Sequence, residues 1–315
     1  MAALSAKAGL LTGAIAVSAG MVDVLERVAR YGPARTPVVF VGAVGTGKSH
    51  FAHALHEASR RPGAFVDVTA QEFGRDLALS QLFGHVRGAF TGADRAHVGY
   101  FGQAERGTLL LDDFHLLHRS QQAMLLRALE HNVYRPIGAE RDVPLGCRVA
   151  VGMGEEPDRL VERGRMLADL RSRLGFMFVR MPPLSERREE VSVLAAHFLS
   201  RAPEDTGVSN GPSGFTPSAV AALVEHQYSG NVRELRELVR EAYLHAVQTR
   251  STLVGVEHLD PSVWGELRVG RRRRPEENRR LIEWALRVER GNIAGAARRI
   301  GASRNTVARL KSQLI

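Results

Sequence analysis

Pro37-Val38-Val39-Phe40-Val41-Gly42-Ala43-Val44-Gly45-Thr46-Gly47-Lys48-Ser49 decides the fold. Its first five residues are a continuous apolar run bounded by Pro and Gly, the pattern of a strand buried on both faces of a parallel sheet. The last eight fit G-x-x-x-x-G-K-[ST] between a strand and a helix, which is the context a phosphate-binding P-loop requires. Glycines let backbone N–H groups turn inward around a phosphate, and the helix N-terminus adds partial positive charge. The plainer reading is a glycine turn that merely starts a helix. Lys48 argues against it: the chain has three lysines, Lys7, Lys48 and Lys311, and otherwise uses arginine.

Working outward, short apolar runs alternate with helical stretches. Ala64–Val68, Thr108–Leu111 and Arg148–Val151 read as strands, while Met21–Arg30, His50–Ser59 and Gln121–Leu129 have helical spacing. The alternation predicts an α/β fold with a mostly parallel sheet. Beyond it, Glu186–Arg201 and Pro217–Val247 read as helices only, separated by a polar Gly/Pro-rich loop over Ala202–Gly214. Residues 1–20 are small and apolar but precede a nucleotide site almost directly, which argues against a secretory signal.

The motif assigns chemistry. Gly42, Gly45, Thr46 and Gly47 cradle phosphate, Lys48 reaches the β- and γ-phosphates of ATP, and Ser49 ligates Mg²⁺. The second half of such a site is an acid ending an apolar strand, supplied by Thr108-Leu109-Leu110-Leu111-Asp112-Asp113. Asp112 is the better Mg²⁺ partner, and Asp113 is placed to polarise the attacking water. Both aspartates also suit caps of the next helix.

Composition bounds the rest. With 44% hydrophobic and 24% charged residues the chain of 315 can bury a core. Its single cysteine, Cys147, excludes an intramolecular disulfide framework and a Cys-clustered zinc site, and fits a reducing, cytoplasmic compartment. No apolar run is long enough to span a bilayer, so no membrane partner is expected. Residues 271–315 hold thirteen basic residues against four acidic ones, which accounts for the whole net charge of +9. A basic tail on a neutral body points to a polyanion, most often DNA.

Gln81-Leu82-Phe83-Gly84-His85-Val86-Arg87-Gly88-Ala89-Phe90-Thr91-Gly92-Ala93 resembles the hallmark loop of bacterial enhancer-binding proteins, AAA+ ATPases that activate RNA polymerase carrying sigma-54. The G-A-F-T-G-A element is intact as Gly88–Ala93. The resemblance continues through Pro182–Glu190 and Gly230-Asn231-Val232-Arg233-Glu234-Leu235, and covers nearly the whole chain. It implies a P-loop AAA+ parallel sheet (residues 1–180), a helical lid (181–262), a basic linker (263–275) and an all-α Fis-type helix-turn-helix (276–315). It also implies that Gly88, Ala89, Phe90, Thr91, Gly92 and Ala93 touch the sigma-54 polymerase holoenzyme. Without it, Phe90 reads as a buried staple.

By the same resemblance Arg173 is an arginine finger offered to a neighbouring subunit, which implies a ring, usually a hexamer. Arg233 is the sensor arginine of the lid. Several positions depart from the family pattern. Asp113 stands in place of Glu, and Thr69 in place of the Asn that switches that Glu. Met153-Gly154 replaces Thr-Asn, and Leu167 replaces the first finger arginine, with Arg165 two residues away. These departures touch water activation and γ-phosphate sensing, so slow hydrolysis is expected, or a nucleotide- and DNA-binding co-activator subunit that works in a mixed ring with a related subunit or as a regulator, with a regulatory protein as a further partner. The P-loop begins at Gly42, so no phosphorylation or sensing domain is expected before it.

In the tail, Leu281, Ala285 and Val288 mark a first helix after Pro275-Glu276-Glu277. Asn292 suits the cap of a second, with Ile293, Ala296, Ala297 and Ile300 on one face. Gly301 suits the turn, and Ser303 caps a third helix with Val307, Leu310 and Leu314 inward. Arg304, Asn305 and Thr306 then face base edges, while Arg298, Arg299, Arg309, Lys311 and the Arg271–Arg274 run suit phosphate. The plainer reading is a three-helix packing module with surface arginines.

Overall fold

The structure is a computed structural model and describes residues 14–73, 77–260, 263, 282, 285–286, 292–299 and 302–311. Two compact units divide it, Met1–Arg187 and Arg188–Ile315.

The first unit is built on a five-stranded sheet in the order β2-β3-β6-β1-β7. The strands are β1 (Val38–Val41), β2 (Phe65–Thr69), β3 (Thr108–Asp112), β6 (Arg148–Met153) and β7 (Phe178–Arg180). All four pairings are parallel. Val38–Val41 is buried throughout, as a continuous apolar run demands. A two-stranded antiparallel hairpin, β4 (Val133–Tyr134) and β5 (Val143–Pro144), lies apart from this sheet.

Helices cover both faces. α1 (Ala19–Tyr31) starts at Ser18, whose hydroxyl accepts from the Met21 N–H, and buries Met21, Val24, Leu25 and Val28. They meet Phe51 and Leu55 of α2 (Lys48–Ser59) and Val38 and Phe40 of β1 in one apolar cluster. On the opposite face α3 (Ala78–Phe83), α4 (Tyr100–Gln103), α5 (Arg119–His131), α6 (Pro157–Glu162) and α7 (Ala168–Arg173) enclose a second. Helical spacing in the sequence places α1, α2 and α5 within two residues of their ends in the structure. β4, β5, β7 and the short helices leave no such mark, because they are too brief to show a period.

The second unit holds α8 (Val191–Thr206), α9 (Pro217–Glu225) and α10 (Asn231–Gln248). The loop expected over Ala202–Gly214 begins only at Gly207. α8 runs through Pro203 to Thr206 and stops at Gly207, φ +69°. Proline removes the N–H that Leu199 O would accept, one bond of the last turn, while Ala202 is buried and the Thr206 hydroxyl adds a separate bond to Ala202 O. Toward the C-terminus are α11 (Ile293–Arg299) and α12 (Arg304–Lys311). Ile282, Ala285, Leu286, Ala296, Ala297 and Val307 form their apolar cluster. The expected linker 263–275 with its Arg271–Arg274 run, the helix start at Pro275, and Leu281, Val288, Ile300, Gly301 and Leu314 lie outside the described residues, Val263 apart.

Candidate functional site

The loop after β1 wraps around its own lysine. Gly45 and Gly47 have φ +77° and +103°, left-handed values that glycine adopts at no steric cost. A Cβ on Gly42 would lie 2.8 Å from Met181 Cβ and 2.9 Å from Thr46 Oγ1, so the backbone is pressed against its surroundings. Lys48 is buried; its Nζ donates to Gly42 O (3.1 Å) and Ala43 O (3.4 Å). Thr46 Oγ1 donates to Ala43 O at 2.8 Å, and buried Arg187 donates through Nη2 to Thr46 O at 2.8 Å. An ammonium held by loop carbonyls at a helix N-terminus is a charge waiting for an anion.

Parallel register carries the acids to the same edge. Thr69 pairs with Asp112 across β2 and β3. Ser49 Oγ donates to Asp112 Oδ2 at 3.2 Å, so the two expected metal-binding oxygens are neighbours. Asp112 Oδ1 lies 2.1 Å from where a Cβ of Gly152 would stand, so the carboxylate occupies room that glycine leaves. Asp113 has φ +50°, and its Oδ2 accepts from Gln71 Nε2 at 3.0 Å and Thr69 Oγ1 at 3.4 Å. A third carboxylate, Asp67, stands close by. Desolvation, then Asp112 and Glu72, raise its pKa, while a Ser49 hydrogen bond opposes them.

Asp67, Gln71 and Gly152 were missed. The signal for Asp67 was an acid interrupting the apolar strand Phe65–Val68; Gln71, in the short turn after β2, and Gly152, on β6, had none, because only folding brings them beside Asp113 and Asp112. Where the resemblance expects a Thr-Asn pair, Met153 is fully buried and Gly154 carries no side chain, so no polar side chain projects there.

Arg173 ends α7, exposed, and its Nη2 donates to Glu130 O at 2.8 Å. Leu167 is the residue before that helix; Arg165 lies 3.9 Å from Glu155 Oε1. Arg233 is exposed on the first turn of α10, in the second unit. That turn is fixed by Glu234, whose carboxylate accepts from Gly230 N (2.6 Å), Ser229 Oγ (3.2 Å) and His226 Nε2 (2.9 Å). Desolvation works against the charge of Glu234, but these donors hold its pKa below the ordinary range.

Gly88–Ala93 forms an exposed turn closed by Gly88 N to Ala93 O at 2.8 Å, with φ +79° at Gly88 and +94° at Gly92. Phe90 is 38% exposed and meets the His85 ring edge-on at 4.9 Å, so it is no buried staple. The ring nitrogens of His85 bond Ser80 Oγ (2.7 Å) and Arg95 O (3.0 Å). The β4–β5 hairpin braces the turn. Val86 N donates to Ile137 O and Ile137 N to Gly84 O, and a Cβ on Gly138 would come within 2.8 Å of Ala89 Cβ.

In the tail both expected caps are made. Asn292 Oδ1 accepts from Ala294 N and Gly295 N, and Ser303 Oγ accepts from Thr306 N at 3.1 Å. Arg304, Asn305 and Arg309 are exposed, Thr306 and Lys311 half-buried. Arg298 and Arg299 close α11; their side chains and that of Leu310 lie outside the described residues.

A P-loop between a buried strand and helix, an acid at the tip of the neighbouring strand, and a following helical unit define a nucleotide-binding α/β protein with a lid. The profile described as the sigma-54 interaction domain matches residues 14–180, and that of the AAA+ ATPase lid domain matches 185–274. The chain belongs to this family of sigma-54-interacting AAA+ ATPases.

It is 33% identical over 334 residues to the DNA-binding transcriptional regulator NtrC of Salmonella typhimurium strain LT2, spanning 97% of this chain and 71% of that protein. It is 32% identical to the regulatory protein AtoC of Escherichia coli K12, spanning 92% and 65%. The Psp operon transcriptional activator of E. coli K12 is 35% identical over 71% of this chain and 69% of its own length. The chain thus spans 65–71% of these relatives. A crystal structure of NtrX from Brucella abortus in complex with ATP superposes with TM-score 0.70 at 25% identity, covering 96% of this chain and 69% of that one. Among the described residues no helix is long and apolar enough to cross a membrane.

Proposed function

We propose that the protein binds upstream DNA through its tail, assembles a ring, and couples ATP turnover to movement of Gly88–Ala93 against the sigma-54 polymerase. The observation that carries this reading is the exposed, braced Phe90–Thr91 turn on the same domain as a complete phosphate loop. A loop that grips a partner needs an apolar tip on a rigid stem, and a motor needs it near the hydrolysis site.

Lys48 and the loop N–H groups bind the phosphates. Ser49 and Asp112, a hydroxyl and a carboxylate already in contact, fit Mg²⁺, which supplies charge neutralisation at the phosphates when bound. Asp113 takes the proton of the attacking water. Thr69 and Gln71 hold its carboxylate until the nucleotide is in place. Arg173 of one subunit meets the γ-phosphate of the next, which implies a ring of the hexameric kind, and Arg233 senses the same phosphate from the lid. Arg304, Asn305 and Thr306 read bases, while Arg298, Arg299, Arg309 and Lys311 touch DNA phosphates.

A second reading is favoured by specific residues. Asp113 is one methylene short, and Leu167 and Gly154 supply no polar group to the nucleotide. A displacement near 1 Å costs on the order of a hundredfold in rate. The chain then serves as a slow subunit, or beside a more active relative in a mixed ring.

Open-complex formation on a sigma-54 promoter, with this protein alone and ATP, separates the two. Activity from the single protein supports the first reading. DNA binding with no open complex, restored by a related ATPase, supports the second. Neither DNA binding nor open complexes sinks both.

A further inference from the structure

Gln122 lies on the apolar face of α5, three residues before Leu125 and seven before Leu129, and is only 1% exposed. Its amide is fully engaged. Nε2 donates to Leu117 O at 2.9 Å and to Arg165 O at 2.9 Å, and Oε1 accepts from Leu167 N at 3.0 Å. Two carbonyls and one N–H allow only this orientation: turned over, the amide oxygen would face two other oxygens.

These partners belong to different functional segments. Leu117 ends the turn that begins at Asp113, a turn stiffened by Leu116 N to Asp113 O (2.9 Å) and Leu117 N to Phe114 O (3.1 Å). Arg165 and Leu167 form the entry to α7, whose last residue is Arg173. At the far end of α5 the Arg173 guanidinium rests on Glu130 O. Phe114, Leu117, Leu125, Leu170 and Leu174 share one buried cluster. Between Asp113 and Arg173 the chain is therefore tied by three hydrogen bonds through one buried side chain, with α5 as the connecting rod.

We propose that Gln122 is a positioning residue that joins the acid turn and the finger helix into one moving body. A shift at Asp113 caused by a subunit's own nucleotide then displaces the Arg173 it offers to its neighbour. This rests on the reading of Arg173 as a finger acting between subunits. Buried amides of this kind transmit displacement because breaking any one bond strands a carbonyl or an N–H away from water.

The test uses the full chain with Gln122→Met, which keeps the length and removes the bonds, and Gln122→Glu, which keeps the acceptor for Leu167 N and removes both donors. Arg173→Ala serves as the reference. A fluorescent ATP analogue measures affinity, and hydrolysis is followed against ATP concentration. Affinity is expected to stay within about twofold, turnover to fall about tenfold or more, and the Hill coefficient to drop to one from the value above one that coupled subunits predict for the unsubstituted protein.

Unchanged turnover and Hill coefficient in a folded Gln122 variant overturn the proposal, as does an affinity that falls in step with turnover. If Arg173→Ala hydrolyses normally, the finger reading itself fails and takes the coupling with it. If only Arg173→Ala is impaired, the coupling alone fails. Should neither Gln122 variant fold, hydrogen exchange on the unsubstituted chain decides. The 165–173 amides must change protection together with 113–117 when a non-hydrolysable ATP analogue binds, and a response confined to 113–117 overturns the idea.

Discussion

The base proposed at Asp113 sits on a short arm. Its left-handed backbone is one that Asp tolerates better than most residues, and its carboxylate is claimed by Gln71 and Thr69. Asp113→Glu extends the base by one methylene. We expect steady-state ATP turnover to rise by about tenfold or more with ATP affinity unchanged; an unchanged rate would shift the limit to Leu167 or Gly154. Lys48, Ser49 and Asp112 were legible in the sequence because a motif spaces them and a strand presents them. Gln71 and Gly152 were not: Gln71 lies in the short turn after β2 and Gly152 on β6, and only the folded sheet brings them beside Asp113 and Asp112, which spacing along the chain does not encode. Cys147 shows the same limit. Burial pushes its thiol up to about 12. The folded thiol stays protonated while the unfolded one ionises near 9, so the unfolded state binds fewer protons between those values and stability falls as pH rises through them. Iodoacetamide at pH 8 should label Cys147 only after denaturation, and the melting temperature should decline above about pH 9.

Among the elements, β6 and α1 are joined by a single side chain. Arg148 is 1% exposed and donates to Tyr31 O (2.7 Å), Gly32 O (2.9 Å) and Thr36 O (3.3 Å), closing the carbonyl end of α1. Desolvation, with Arg61 nearby, lowers its pKa to about 10, so it remains charged at neutral pH. Arg148→Met leaves these buried carbonyls without a donor and should cost roughly 3 kcal/mol. For a unit of this size that is a fall of about 6–12 °C in melting temperature, read by calorimetry. Arg148 illustrates why periodicity finds strands and leaves their ties unseen: an arginine at a strand start looks like a surface residue until the chain folds. Pro203 errs the other way. Read locally it breaks a helix, yet the burial of Ala202 and the Thr206 hydroxyl carry α8 past it.

At the scale of the whole molecule, charge and chemistry are separated. The first 270 residues are neutral overall and hold the nucleotide site, while the last 45 carry the net +9. The caps at Asn292 and Ser303 were readable in the tail because a cap needs only local residues. Arg304→Ala should relax base preference at a cost of about 1–3 kcal/mol at the cognate site. Arg309→Ala should weaken all sites alike and lower the salt slope by about one. Titrations of specific and random duplexes at several salt concentrations distinguish the two, and equal loss of specificity in both counts against this sorting of contacts.

The hairpin around Gly138 has a consequence for genetics. It lies outside the phosphate loop and the Gly88–Ala93 element, yet Ile137 is bonded to both Gly84 and Val86, and Gly138 lies against Ala89. A selection for strains that lose promoter activation should therefore return lesions at 137 and 138 beside those at 88–93. Compensating second-site changes should arise at Val86 and Ala89, some fifty residues upstream, so that an inheritance pattern would trace the brace.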